Sequence, residues 1–185
     1  YEDLIGRNLS DSNMRGVNLK NRDIHSADLS CTDLRDANLS ESILFYVKLR
    51  GADMRGVNLS NAKIWDAEMY GVDLRGADIN GADLFYTDLR NADLSDTNLS
   101  GVNLRHTNFE GAIFTSADFT NANYDVHTLD KLKQVLDPGI LEQAFKHAGV
   151  ATVRKRRLPL EAIMWSVIGM SLFRNETVWD IANSL

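Results

Sequence analysis

From Leu4 to Tyr124 every fifth residue is large and apolar, 25 positions without a slip, and this period of five limits the fold more than anything else in the chain. The series opens Leu4, Leu9, Met14, Leu19, Ile24, Leu29 and closes Leu104, Phe109, Phe114, Phe119, Tyr124. Two residues before each member the side chain is usually small, as at Ala27, Ala37, Ala52, Ala77, Ala82 and Ala92, and Asp or Asn usually stands between the two. In an α-helix each residue turns about 100°, so a step of five turns about 140° and scatters the series over every face. In a flat strand an odd step sends successive members to opposite sides. Neither element yields one buried stripe. A chain that turns a corner every five residues and coils does yield one, because each member then points at a common axis. Asp and Asn ahead of the central residue can bond nearby backbone groups and stabilise such turns. Gly at many corners relaxes the backbone where φ turns positive. Residues 1–125 read as a solenoid.

The repeated unit, as in Ala77-Asp78-Ile79-Asn80-Gly81, resembles that of the pentapeptide-repeat family. The resemblance covers residues 1–125 and implies a right-handed, four-sided β-helix with four pentapeptides in each coil. Outward residues should then stack at intervals of 20. Arg15, Arg35, Arg55 and Arg75 do so, as do Phe45, Trp65 and Phe85, whereas a coil of three pentapeptides would align neither column. The expected fold is mainly β: a quadrilateral β-helix of about six coils, rising roughly 4.8 Å per coil to a rod of about 30 Å. A small α-helical C-terminal region should follow it.

A chain of 185 residues can hold one large domain or two small ones. Residues 1–125 carry 20 acidic and 12 basic side chains, a net charge of −8, and residues 126–185 carry 6 and 8, a net charge of +2. This asymmetry suggests two units with different partners, divided at 125/126. The single cysteine, Cys31, has no intramolecular partner for a disulfide, which suits a reducing compartment. No signal-peptide pattern opens the chain, and no apolar run reaches the ~18–20 residues of a membrane span. The expectation is a cytoplasmic protein with no membrane partner.

Function should sit on outward positions. On one expected face Ile43, Phe45, Tyr46, Trp65, Phe85 and Tyr86 replace the usual Ser, Arg, Asp and Gly, and Lys63 replaces the usual Asp or Asn. Stacked exposed aromatics either mark a contact surface or only stabilise neighbouring coils, as cross-strand pairs do. A contact there could be made by a partner protein, a second copy, or the chain's own tail. The column Arg15, Arg35, Arg55, Arg75 allows a phosphate-binding stripe. Asp33, Asp36, Asp53 and Asp73 beside it favour a solvated, charge-balanced face instead. The family resemblance also brings in its quinolone-resistance members, which mimic duplex DNA and bind DNA gyrase. Those relatives often carry loops that break the coil, and this repeat has none.

Beyond Tyr124 the pattern turns helical. Thr128 is placed to cap a first helix ending near Leu136, and Pro138 to open a second that ends at Gly149. Arg154-Lys155-Arg156-Arg157 follows, then an apolar helix from Leu160 to Phe173 and a fourth carrying Trp179 and Leu185. Residues 129–185 resemble the N-terminal domain of insertion-element transposases, through the basic run, the start Leu158-Pro159-Leu160-Glu161-Ala162 and the exit Leu172-Phe173-Arg174. In that family a catalytic domain with a metal-binding acidic triad comes next, and this chain stops before one. The resemblance implies that Arg154, Lys155, Arg156 and Arg157 touch DNA phosphates; a solvated linker is the other reading. The apolar third helix needs cover, from the aromatic patch of the solenoid or from a second copy of the tail, and the pentapeptide-repeat resemblance favours a homodimer through the C-terminal helices.

No chemistry emerges from the motifs. His25, His106, His127 and His147 have no metal-ligand spacing with Cys31. The repeat carboxylates recur as turn formers, and neither a phosphate loop nor a nucleophile elbow is present. The expectation is a non-enzymatic interaction scaffold without cofactor or metal. The alternatives are a DNA mimic acting on a topoisomerase and a DNA-binding fragment of a transposition system.

Overall fold

A computed structural model describes residues 4–136 and 138. Parallel bridges join each residue of the Asp/Asn column to the one 20 further on. Four such ladders run along the molecule, starting Asn8–Asp28, Asn13–Asp33, Asn18–Asn38 and Asp23–Ile43, so the coil repeats at 20 residues and has four faces. Each rung uses two backbone bonds. The central residue donates forward, as Leu34 N to the Asp53 carbonyl at 2.8 Å, and the residue before it donates back, as Asp53 N to the Thr32 carbonyl at 3.0 Å. The corner is closed locally, Ala37 N donating to the Leu34 carbonyl at 3.1 Å.

The corner explains the rest of the motif. The residue two places after each central one from Leu4 to Phe119 has positive φ, whether glycine, as Gly76 at 66°, or not, as Asp36 at 59°, Tyr46 at 57° and His106 at 60°. Just ahead of the corner, an Asp or Asn oxygen accepts the N–H two residues on, as Asp33 Oδ1 from Arg35 N at 3.2 Å and Asn58 Oδ1 from Ser60 N at 2.9 Å. That is the bond expected of a turn-forming Asx side chain. Glycine leaves room for a side chain of the preceding coil: a Cβ at Gly81 would lie 2.6 Å from Asn61 Oδ1, which would have to move.

The inward stripe is as expected. Leu29, Leu34, Leu39, Leu44 and Leu49 are wholly buried, and the small residues Ala27, Ala37, Ala52 and Ala62 fill the spaces between them. Towards the C-terminal end the aliphatic series becomes aromatic, Phe109, Phe114 and Phe119 touching at ring-centroid separations of 5.4 and 5.3 Å. There the helix α1, Val126–Val135, lays Leu132 and, just past its end, Leu136 into the same core. Burying a leucine of this kind contributes roughly 2 kcal/mol.

The cap of α1 differs from the expectation. Asp125, not Thr128, is the N-cap: its Oδ1 accepts the Thr128 N–H at 2.7 Å. Thr128 is buried one turn in, and its hydroxyl accepts the His106 N–H at 2.9 Å. The change of backbone region decides this, since Asp125 is still extended at φ −90° and ψ 172°. Two compact units, Tyr1–Ala144 and Phe145–Leu185, make up the chain. The second to fourth helices, the run Arg154 to Arg157 and the tail dimer lie outside the described residues.

Candidate functional site

The ladder Asp23–Ile43–Lys63–Asp83–Asn103 runs along the face where the unusual residues gather. Because the register is 20, Phe45, Trp65 and Phe85 fall in one column beside it, and Tyr46, Asp66 and Tyr86 in the corner column. All six aromatic-face candidates therefore share one side of the coil. Phe45 and Trp65 stack, centroids 4.7 Å apart and planes 24° from parallel. Phe85 meets Tyr86 edge-on at 4.8 Å. Ile43, Phe45 and Phe85 are half-buried by this arrangement, while Tyr46, Trp65 and Tyr86 remain 60%, 42% and 56% exposed.

Stacking between coils and outward exposure are thus both present. Phe45 stacks on Trp65 from the next coil, and Phe85 packs edge-on against Tyr86 of its own coil. Tyr46, Trp65 and Tyr86 supply the most exposed aromatic area of this face, a surface suited to a packed protein partner.

One member of the cluster was missed in the sequence. His106 stacks on Tyr86 at 4.7 Å and 18°, and meets Phe85 edge-on at 5.4 Å. Its signal was its place 20 residues after Tyr86. Its Nδ1 lies 3.4 Å from Asp125 Oδ2. Burial pushes the Asp125 carboxyl up, but the hydrogen bonds from Thr128 and the nearness of His106 outweigh it, and the carboxyl is held below its ordinary value. Tyr70 and Ile113, also exposed, belong to other faces, and Arg90 lies over the Tyr70 ring at 5.8 Å.

The arginine column is charge-balanced. Arg35 pairs with Asp33 at 2.6 Å and Asp53 at 3.5 Å, Arg55 with Asp53 at 2.6 Å and Asp73 at 3.6 Å, and Arg75 with Asp73 at 2.6 Å and Asp93 at 3.7 Å. Arg15 reaches Asp36 at 3.0 Å. The Arg35 hydrogen bonds hold the Asp33 carboxyl down to about 2. Such a ladder offers phosphates little free cation. Among the described residues no group of three or more His, Cys, Asp or Glu side chains is placed to hold a metal ion, and no helix is long and apolar enough to cross a membrane.

The family described as Pentapeptide repeats (8 copies) matches residues 3–36, 23–61, 52–91 and 87–123. The chain belongs to the pentapeptide-repeat family. Its solenoid is similar to a crystallised pentapeptide repeat protein from the cyanobacterium Cyanothece, at 29% identity and a TM-score of 0.53, over 65% of this chain and 90% of that one. It is also similar to a pentapeptide repeat protein of the Arabidopsis thaliana thylakoid lumen, at 28% identity and a TM-score of 0.47, over 74% and 83% of the two chains. Behind the pentapeptide repeats, residues 126–185 match the family described as Insertion element 4 transposase N-terminal. Over 57 residues the chain is 42% identical to the InsG transposase of insertion sequence element IS4 from Escherichia coli, covering 31% of this chain but only 13% of that protein.

Proposed function

We propose that this pentapeptide-repeat protein is a non-enzymatic interaction scaffold, a rod of about six coils whose aromatic face binds protein, its repeat ending at residue 125 and a transposase-like segment following from 126. The observation that carries the reading is the exposure of Tyr46, Trp65 and Tyr86 on one face where most of the repeat places Asp, Ser, Arg or Gly. Aromatic residues gathered in one patch are the usual anchors of protein contacts. DNA gyrase is the first partner to test, because the family includes quinolone-resistance members that bind it and the repeat region is net acidic. Trp65→Ser combined with Phe85→Ser should abolish capture of the partner in a pull-down while leaving the melting transition in place. Unchanged capture removes this face from consideration.

A second reading is supported by the transposase N-terminal match over residues 126–185. In that reading Arg154, Lys155, Arg156 and Arg157 contact DNA phosphates, and the solenoid carries a DNA-binding element. Gel retardation that weakens with salt, and weakens again in Arg156→Glu/Arg157→Glu, is the expected result. Absence of salt-sensitive binding dismisses it.

A further inference from the structure

Lys63 and Asp66 stand on either side of Trp65 on a single coil, Lys63 in the bridging ladder and Asp66 at the corner. Both are exposed. Neither side chain has an ion-pair or hydrogen-bond partner among the described residues, although the arginines of the neighbouring columns are held by carboxylates. The aromatic face is therefore bordered by two opposite charges with nothing to satisfy them.

A surface with a cation at one edge and an anion at the other is complementary to a second copy of itself only in particular orientations. An isologous pair needs a two-fold axis lying in the plane of contact. An axis directed across the rod, along the strands, keeps strand direction and reverses coil order. Passing through the Trp65 coil, it would set Lys63 against Lys63 and Asp66 against Asp66. An axis directed along the rod reverses strand direction and keeps each coil level with its own copy. Lys63 then meets Asp66 and Trp65 twice over, where an ion pair and a cation–ring contact are both attractive. The same operation brings Phe45 to Phe45 and Phe85 to Phe85, and sets the Asp83 carboxylate across from the Tyr86 hydroxyl.

From this charge pattern we infer that the aromatic face pairs with the same face of a second copy, about a two-fold axis parallel to the solenoid axis, with Lys63 bound to the partner's Asp66. The inference rests on the reading of that face as a protein contact and names its occupant. It is independent of the dimer through the C-terminal helices, which uses none of these residues.

Sedimentation of the full chain at micromolar concentration tests it. The wild type should be a dimer. Lys63→Asp or Asp66→Lys alone should weaken the dimer by about tenfold or more, since like charges then face each other, and Lys63→Asp with Asp66→Lys should restore it. Asp66 sits at a φ of 52°, but Glu41 and Tyr46 occupy equivalent corners at 60° and 57°, so lysine can be accommodated there. A monomeric wild type, single variants that dimerise unchanged, or a double variant that stays dissociated overturns the pairing. A dimer that survives Trp65→Ser/Phe85→Ser is held elsewhere and overturns it too. A wild-type monomer whose capture of another protein still depends on Trp65 and Phe85 sinks the pairing alone. No change in either mass or capture sinks the contact face as well.

Discussion

Tyr86 lies stacked on His106, and the backbone N–H of His106 is bonded to both Asp125, at 3.1 Å, and Thr128, at 2.9 Å. The last aromatic of the candidate face therefore rests on the residue to which the start of α1 is tied. Asp125→Ala removes the helix cap and one acceptor for His106 together. A loss of about 1–2 kcal/mol in chemical denaturation is expected, as for other cap deletions. Thr128→Val should cost about 1 kcal/mol, the worth of one hydrogen bond.

The closing contact of α1 is apolar. Leu132 is 2% exposed, packed in the solenoid core. Leu132→Ala should cost about 2–4 kcal/mol in the same denaturation experiment. Its neighbour Lys131 is half-buried and outside that core, so Lys131→Ala should stay within about 0.5 kcal/mol. In the opposite sense, Ala82→Leu overfills a position with 1% exposure and should cost about 1–3 kcal/mol.

Much of this was legible beforehand, and the reason is geometric. A period of five calls for a coil with one inward stripe, so the stripe from Leu29 to Leu104 follows from spacing, while the 20-residue columns follow from the four-sided coil that the family resemblance implies. The six aromatic-face residues were placed together by the same arithmetic. What the repeat unit could not convey was which side chains touch within a column and at the end of the coil. His106 reads as an ordinary corner residue until its ring is seen on Tyr86. Asp125 reads as the last outward residue of the repeat, although it caps the first helix. The room that Gly81 leaves is taken by a side chain 20 residues earlier, Asn61. Each of these lives in packing between coils, which the repeat unit does not describe.

That last pairing is itself testable. Gly71 and Gly81 share a left-handed φ of 65° and 64°, but a Cβ at Gly71 meets nothing within 4 Å while one at Gly81 meets Asn61. Gly71→Ala should cost about 1 kcal/mol for the backbone conformation alone. Gly81→Ala should cost more, and the excess should vanish when Asn61→Ser is combined with it, read as the coupling in a double-mutant cycle.

The arginine–aspartate ladder makes the fold sensitive to acid. The carboxyls of Asp33, Asp53, Asp73 and Asp88 are all held below their ordinary 3.8, each first by hydrogen bonds from the arginine two residues on, and Asp33 reaches about 2. A carboxyl with a lowered folded pKa stabilises fully above its unfolded value and loses that contribution as pH falls through the folded one. Thermal midpoints should thus be flat above about pH 4 and fall towards pH 2. Arg35→Gln/Arg55→Gln/Arg75→Gln should flatten that acid limb, because the carboxyls then titrate nearer their unfolded values.

Hydroxyl-radical footprinting, comparing the chain inside the cells that express it with the purified chain at high dilution, tests the central claim most directly. The account predicts that Tyr46, Trp65 and Tyr86 are oxidised markedly less in cells, while Tyr70 and Ile113, equally exposed on other faces at 46% and 51%, are oxidised to the same extent in both. Equal oxidation of the aromatic face in the two settings would contradict the claim that it is covered by a protein partner.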